Sequence, residues 1–81
     1  MNTTDKIEEI LSNNWKDVYS ICESVQDCID YIYCNTDDDT ILLDNWDIFT
    51  DFVDDAFHYG FTTLEGLEFD PIEEWFLLTY D

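Results

Sequence analysis

The alternation of apolar and polar residues is most regular between Asp44 and Tyr59, where it follows the period of an α-helix. On a helical wheel the five aspartates of this segment share an arc of about 100°; they are Asp44, Asp47, Asp51, Asp54 and Asp55. The opposite side is apolar and carries Trp46, Phe49, Phe52, Val53, Ala56 and Phe57. The pattern predicts an amphipathic central helix, capped by Asp44 or Asn45 at its start and ended by Gly60.

Two helices are predicted before this segment. Thr4 or Asp5 caps the first, whose apolar stripe ends at Leu11. The polar run 12–14 interrupts that stripe, and Asn14 is a suitable N-cap for the second helix. The apolar residues of the second helix repeat at steps of three and four; they are Trp15, Val18, Cys22, Val25, Ile29 and Ile32. We expect these positions to pack in the core.

Residues 28–34 are rich in β-branched and aromatic side chains, and two interpretations fit them. In the first, the second helix ends near Gln26 and a β-hairpin follows, with strands over 28–34 and 40–43 about the polar turn 35–39. In the second, the helix continues to Cys34. Periodicity alone does not distinguish a short buried strand from a helical segment, so both remain open.

The pattern is less regular after Gly60. Residues 61–69 include Gly66 and are typical of an irregular connection or a short helical turn. Asp70, Pro71 and Glu73 then occupy the N-cap, first and third positions of a capping-box arrangement. The final run 75–80 is either the helix that this arrangement starts or a strand that joins the hairpin.

The composition predicts a folded protein of one domain. The chain has 81 residues, of which 46% are apolar and 17% aromatic, unlike acidic disordered segments, which are poor in aromatics. We expect residues 1–81 to form a single compact acidic domain of the α+β class. It would contain three to four helices with a short β-hairpin or small antiparallel sheet, and the alternative is an all-α bundle.

The charge balance changes this picture most. The chain has 21 acidic residues against two lysines and no arginine, which gives a formal charge of −19. Small domains commonly carry a net charge of magnitude about 2 to 8, with both signs mixed over the surface. An excess of this size repels nucleic acid and anionic membranes, and it attracts basic protein surfaces. The expected partner is therefore a basic protein, with no direct binding to nucleic acid or membrane.

Catalysis is not expected from this sequence. The near absence of arginine and lysine argues against enzymes that hold phosphorylated substrates. His58, the one histidine, is placed to complement the C-terminus of the central helix, which is a structural or surface role. Paired carboxylates are abundant, but general acid–base chemistry also needs a cleft and groups that hold a substrate.

Neither zinc nor calcium is expected to bind at a dedicated site. Cys22, Cys28 and Cys34 are six residues apart, whereas structural zinc sites space their paired ligands by two to four. The cluster 37–39 is the best calcium candidate, but the position that an EF-hand gives to glycine is occupied by Leu42. We expect no cofactor and no metal.

The cysteine count and the hydropathy of the chain predict a protein of the cytoplasm. Three cysteines cannot all pair with one another, and no basic segment followed by an apolar one resembles a signal peptide. We therefore expect free thiols in a reducing bacterial cytoplasm.

The remaining function is recognition of another protein through the acidic residues. The predicted partner-binding residues are Asp37, Asp38, Asp39, Asp44, Asp47, Asp51, Asp54, Asp55, Glu65, Glu68, Asp70, Glu73 and Glu74. Some exposed aromatic residues are expected to contribute anchors, because aromatic side chains dominate many protein interfaces.

In size, charge and absence of arginine the chain resembles the small acidic DNA-mimic inhibitors of phages and mobile elements. These include anti-CRISPR proteins, antirestriction proteins and the uracil-DNA glycosylase inhibitor. The resemblance covers the whole chain in composition, without an alignable motif, and the closing segment 73–81 is similar to an acidic-aromatic stretch of antirestriction proteins. It implies a mechanism but no particular architecture, since these inhibitors do not share one fold.

The resemblance implies an inhibitor that binds the basic nucleic-acid-binding surface of a host DNA-handling protein and blocks access of DNA. Such a target is a CRISPR effector, a restriction enzyme, a repair enzyme or a nucleoid protein. Two alternatives use the same electrostatics: an immunity or antitoxin protein that neutralises a basic nuclease, and an acidic chaperone of basic proteins.

Overall fold

The computed structural model describes residues 2–73 and has an α+β architecture, as predicted. Its helices are α1 (Thr3–Ile21), α2 (Val25–Asn35), α3 (Asp39–Asp44) and α4 (Trp46–Tyr59). Two short antiparallel strands follow, β1 (Phe61–Thr62) and β2 (Glu68–Phe69). The predictions for Glu74 and for the run 75–80 lie outside the described residues.

The predicted break at residues 12–14 is wrong, because α1 continues through it to Ile21. Ser12 is buried on this helix, and its hydroxyl accepts a hydrogen bond of 3.1 Å from the backbone N–H of Leu64. Asn14 turns its amide back to the carbonyl of Ile10. These polar residues are therefore satisfied within a continuous helix, which begins at the N-cap Asn2 and not at Thr4 or Asp5.

The hairpin predicted at 28–34 and 40–43 is also wrong, because both segments are helical. Ser24 caps α2 by accepting a hydrogen bond of 3.1 Å from the backbone N–H of Asp27. Cys28, Ile29 and Ile32 then lie on one buried face with helical spacing. Burial of that face outweighs the β propensity of the side chains, so the interpretation as a helix reaching Cys34 is closer to the structure, although residues 22–24 separate α1 from α2 and the predicted helix is not continuous.

The hairpin lies instead in the segment predicted to be irregular. Phe61 pairs with Phe69, and their rings pack on α1, with centroids 5.1 Å from those of Trp15 and Tyr19 respectively. Gly60 has a φ of +92°, and a Cβ there would lie 2.8 Å from the carbonyl oxygen of Phe69. Glycine is therefore required where α4 turns into β1, as the sequence predicted for the end of the helix.

The core is formed where α1, α2 and α4 meet, with α3 and Ile72 closing its edges. The largest fully buried side chains are Trp15, Phe49, Ile7, Leu11, Ile32, Leu42 and Ile72. On α4, Phe49, Val53, Ala56 and Phe57 are buried, which confirms four of the six positions predicted for the apolar face; Phe52 is half-buried and Trp46 is exposed. The acidic residues of α4 are thereby directed to solvent.

No helix among the described residues is long and apolar enough to cross a membrane.

Candidate protein-binding surface

The aspartates of the central helix form one exposed acidic face, as the periodicity predicted. Asp47, Asp51, Asp54 and Asp55 lie on α4, and all four are exposed. Asp44 is exposed as well, but it is the last residue of α3 and does not cap α4. The N-cap of α4 is Asn45, whose amide donates to the carbonyl of Ile41 across the corner between the two helices.

Asp37, Asp38 and Asp39 lie where α2 gives way to α3, and all three are exposed. Asp37 and Asp38 border an open polar cleft of about 490 Å³, which Lys6 and Glu9 of α1 also line. The partner-binding role predicted for these aspartates stays a prediction.

The C-terminal acids divide into two groups. Glu65, Glu68 and Asp70 are exposed on the hairpin and directly after it. Glu73 is brought against α4, where its Oε2 accepts a hydrogen bond of 2.5 Å from Nδ1 of His58. The acids predicted to bind a partner therefore come from several elements, and α4 carries four of them.

His58 is held between two carboxylates. Its Nε2 lies 3.3 Å from Oδ1 of Asp54, one turn earlier on α4, and its Nδ1 faces Glu73. The hydrogen bond with Glu73 is the main cause that raises the pKa of His58, and both nearby carboxylate charges add to it. The structural role predicted for this residue is consistent with its position, since it fastens the segment after β2 to the end of α4.

This cluster predicts a pH-dependent contribution to stability. Because the pKa of His58 is raised in the folded state, its contribution is fully present below the ordinary pKa of about 6.5 and is lost as the pH rises through the folded value. The difference in melting temperature between the wild-type protein and His58→Gln should be larger at pH 6 than at pH 8. An equal difference at both pH values, measured by circular dichroism, would show that protonated His58 does not stabilise the fold.

The cysteines are free thiols that do not converge on a metal site. Cys22 and Cys28 are buried beside each other, and burial raises the pKa of both, that of Cys28 to about 12. Cys34 is exposed and lies elsewhere on α2. Within the described part of the chain, no group of three or more histidine, cysteine or acidic side chains is arranged to hold a metal ion.

An apolar group beside the acidic face was not predicted from the sequence. Leu43, Trp46 and Ile48 are 56%, 39% and 37% exposed, and they lie at the corner where α3 meets α4. Together with Asp44, Asn45 and Asp47 they line an open depression of about 380 Å³. One signal was present in the sequence: Ile48 falls on the helical wheel next to Asp51 and Asp55, away from the buried face.

Comparisons of the chain with models of protein families, with curated proteins and with solved structures find no match.

Proposed function

We propose that this protein binds the basic nucleic-acid-binding surface of a DNA-handling protein and blocks access of DNA to it. The observation that carries the proposal is the exposed acidic face of α4, where His58 at the end of the helix is the one cationic group found paired with a carboxylate within residues 2–73. Within residues 2–73, the ion pairs found are the two made by His58. After Lys16 the sequence contains 18 acidic residues and no lysine or arginine.

The spacing of the carboxylates supports this proposal. A helix rises about 1.5 Å per residue, so Asp47, Asp51 and Asp54 follow one another at steps of about 4.5 to 6 Å along the axis. Phosphates along a nucleic-acid strand also follow one another every few ångströms, since duplex DNA advances about 3.4 Å per charge on each strand. Arginine and lysine side chains that hold phosphates can therefore pair with these carboxylates instead.

The binding steps follow from the charge distribution. A field of this strength and sign accelerates encounter with a basic cleft, and the acceleration decreases with salt. Carboxylates then form charge-assisted hydrogen bonds with the cations of the cleft. The bound inhibitor then excludes DNA by competing for the cleft. This competition requires neither a catalytic group nor a cofactor.

The test is capture of proteins from a nuclease-treated bacterial lysate on the tagged chain, with washes at low and high salt. We expect one dominant DNA-binding protein that is retained at high salt and is released by added duplex DNA. A broad set of basic proteins, all lost at moderate salt, would contradict a specific target and favour the chaperone-like alternative. Retention of one protein that duplex DNA does not release would contradict competition for its DNA-binding surface.

A further inference from the structure

The corner between α3 and α4 combines exposed apolar side chains with carboxylates on a rigid support. Trp46 is the central residue. Its ring meets Tyr33 edge-on, with centroids 5.9 Å apart, and packs on the buried ring of Phe49 at 5.4 Å. Because two aromatic neighbours fix the indole while 39% of the residue stays exposed, it loses little freedom when it is covered by a partner.

Three exposed apolar residues at this corner border one concavity. Leu43 lies near the end of α3, Trp46 is the first residue of α4 and Ile48 follows two residues later, and all three border the depression of about 380 Å³. Single exposed apolar residues are normal on protein surfaces and need no explanation. Three large ones within six consecutive residues, around one concavity, match the arrangement of an interface anchor surrounded by polar groups.

The charges at the rim restrict what can cover this corner. Asp44 and Asp47 border the depression, and Asp51 lies one turn further along α4. A second copy of the chain would place aspartates against aspartates, at a charge of −19 on each copy. A protein surface that carries aliphatic side chains between arginines or lysines complements both the apolar centre and the rim, and an arginine can also stack on the indole.

We propose that Leu43, Trp46 and Ile48 anchor the protein to its partner, by filling an apolar part of a basic protein surface while Asp44 and Asp47 pair with cations around it. The inference rests on the proposed function, because the basic partner is taken from it. It adds that the contact depends on apolar burial at one end of α4, in addition to charge along the helix.

Three synthetic amphipathic helical peptides of equal length test this inference. One carries leucine on one face and arginine on the other, the second has serine in place of the leucines, and the third has glutamine in place of the arginines. Calorimetry gives the affinities, and the indole N–H signal of Trp46 in NMR spectra reports contact at the corner. We expect the leucine–arginine peptide to bind about ten-fold more tightly than the serine–arginine peptide, from partial burial of two aliphatic side chains.

The decisive variant is Leu43→Ser with Ile48→Ser. It should bind the leucine–arginine peptide about ten-fold more weakly, and the serine–arginine peptide as the wild type does. The matched control is Leu64→Ser with Leu67→Ser in the hairpin turn, where both leucines are 55% exposed beside Glu65 and Glu68. The control should leave both affinities unchanged, and circular dichroism should show native helix content in both variants.

The outcomes separate this inference from the proposed function. Equal binding of the two arginine peptides, or equal losses in the decisive and control variants, overturns the anchor while electrostatic binding stands. Equal binding of the leucine–glutamine and leucine–arginine peptides overturns the basic partner, and with it the proposed function. A dimer detected by sedimentation that Leu43→Ser abolishes also overturns the inference, because a second copy would then occupy the corner.

Discussion

Asparagine in place of four aspartates on the acidic face is expected to weaken binding to the captured DNA-binding protein by roughly 5- to 1,000-fold. The four are Asp44, Asp47, Asp51 and Asp55, all exposed. Each exposed ion pair contributes about 0.2 to 1 kcal/mol, so the loss of four costs roughly 1 to 4 kcal/mol of binding free energy. Asp54 is left unchanged because it faces His58.

Interferometry at two salt concentrations measures this effect. The association rate of the neutralised variant should be lower and should depend less on salt, since fewer charges steer the encounter. Its melting temperature should be equal to that of the wild type or higher, because repulsion among the remaining acids is reduced. Unchanged affinity in this variant would mean that the α4 face is not the contact surface.

A control variant with the same change in net charge shows whether binding depends on the position of the charges or only on their total. Its four substitutions are Glu9→Gln, Asp17→Asn, Glu23→Gln and Asp27→Asn, all at exposed positions on α1, on α2 or between them. If the partner contacts α4, the control should keep most of the affinity. Equal losses in both variants would show that net charge alone determines binding, which favours a chaperone-like protein without a unique partner.

Leu42→Ala is expected to have the largest effect on stability among single substitutions in α3. Leu42 is fully buried, whereas the other five residues of α3 are not. Truncation of a buried leucine to alanine costs about 2 to 5 kcal/mol, a large part of the roughly 4 to 12 kcal/mol expected for a domain of this size. A helix so short is not stable without tertiary contacts, so α3 and the corner it forms with α4 should become disordered together.

Urea denaturation and a thermal melt provide the measurement, with Leu43→Ala as the matched control. Leu43 is the next residue in α3 and is 56% exposed, so its truncation should change the unfolding free energy by less than about 0.5 kcal/mol. Leu42→Ala should lower the melting temperature by at least about 8 °C. Surface substitutions usually change the free energy of unfolding by no more than about 0.5 kcal/mol. If the unfolding free energies of the two variants differ by less than about 0.5 kcal/mol, Leu42 does not stabilise α3.

Sequence reasoning succeeded where local signals determine structure. The α4 helix carries a strong amphipathic period and a terminal Gly60, and both the helix and its acidic face are found as predicted. Prediction from the sequence failed where contacts between residues far apart along the chain determine the structure. Ser12 looks like a helix breaker until its hydrogen bond with Leu64 is known, and the partner of Phe61 on α1 cannot be identified from local propensity.

The candidate surface was predictable in part, where helical periodicity determines which residues are exposed. Exposure of Asp47 and Asp51 follows from periodicity, because the opposite face must be buried. The anchoring residues were not predictable as a group, since Trp46 belongs to the apolar side on a helical wheel and is nevertheless 39% exposed. Its exposure goes with its position in the first turn of α4, where Tyr33 and Phe49 pack against the ring and leave part of it uncovered.

The packing of the hairpin on α1 also determines the order in which the chain can complete its fold during synthesis. The hydrogen bond from Leu64 to Ser12 spans 52 residues, and the rings of Phe61 and Phe69 cover Trp15 and Tyr19 from similar distances along the chain. Helices form from local contacts within microseconds, whereas these contacts require closure of a long loop. On the ribosome α1 therefore keeps part of its apolar side uncovered until the hairpin has emerged.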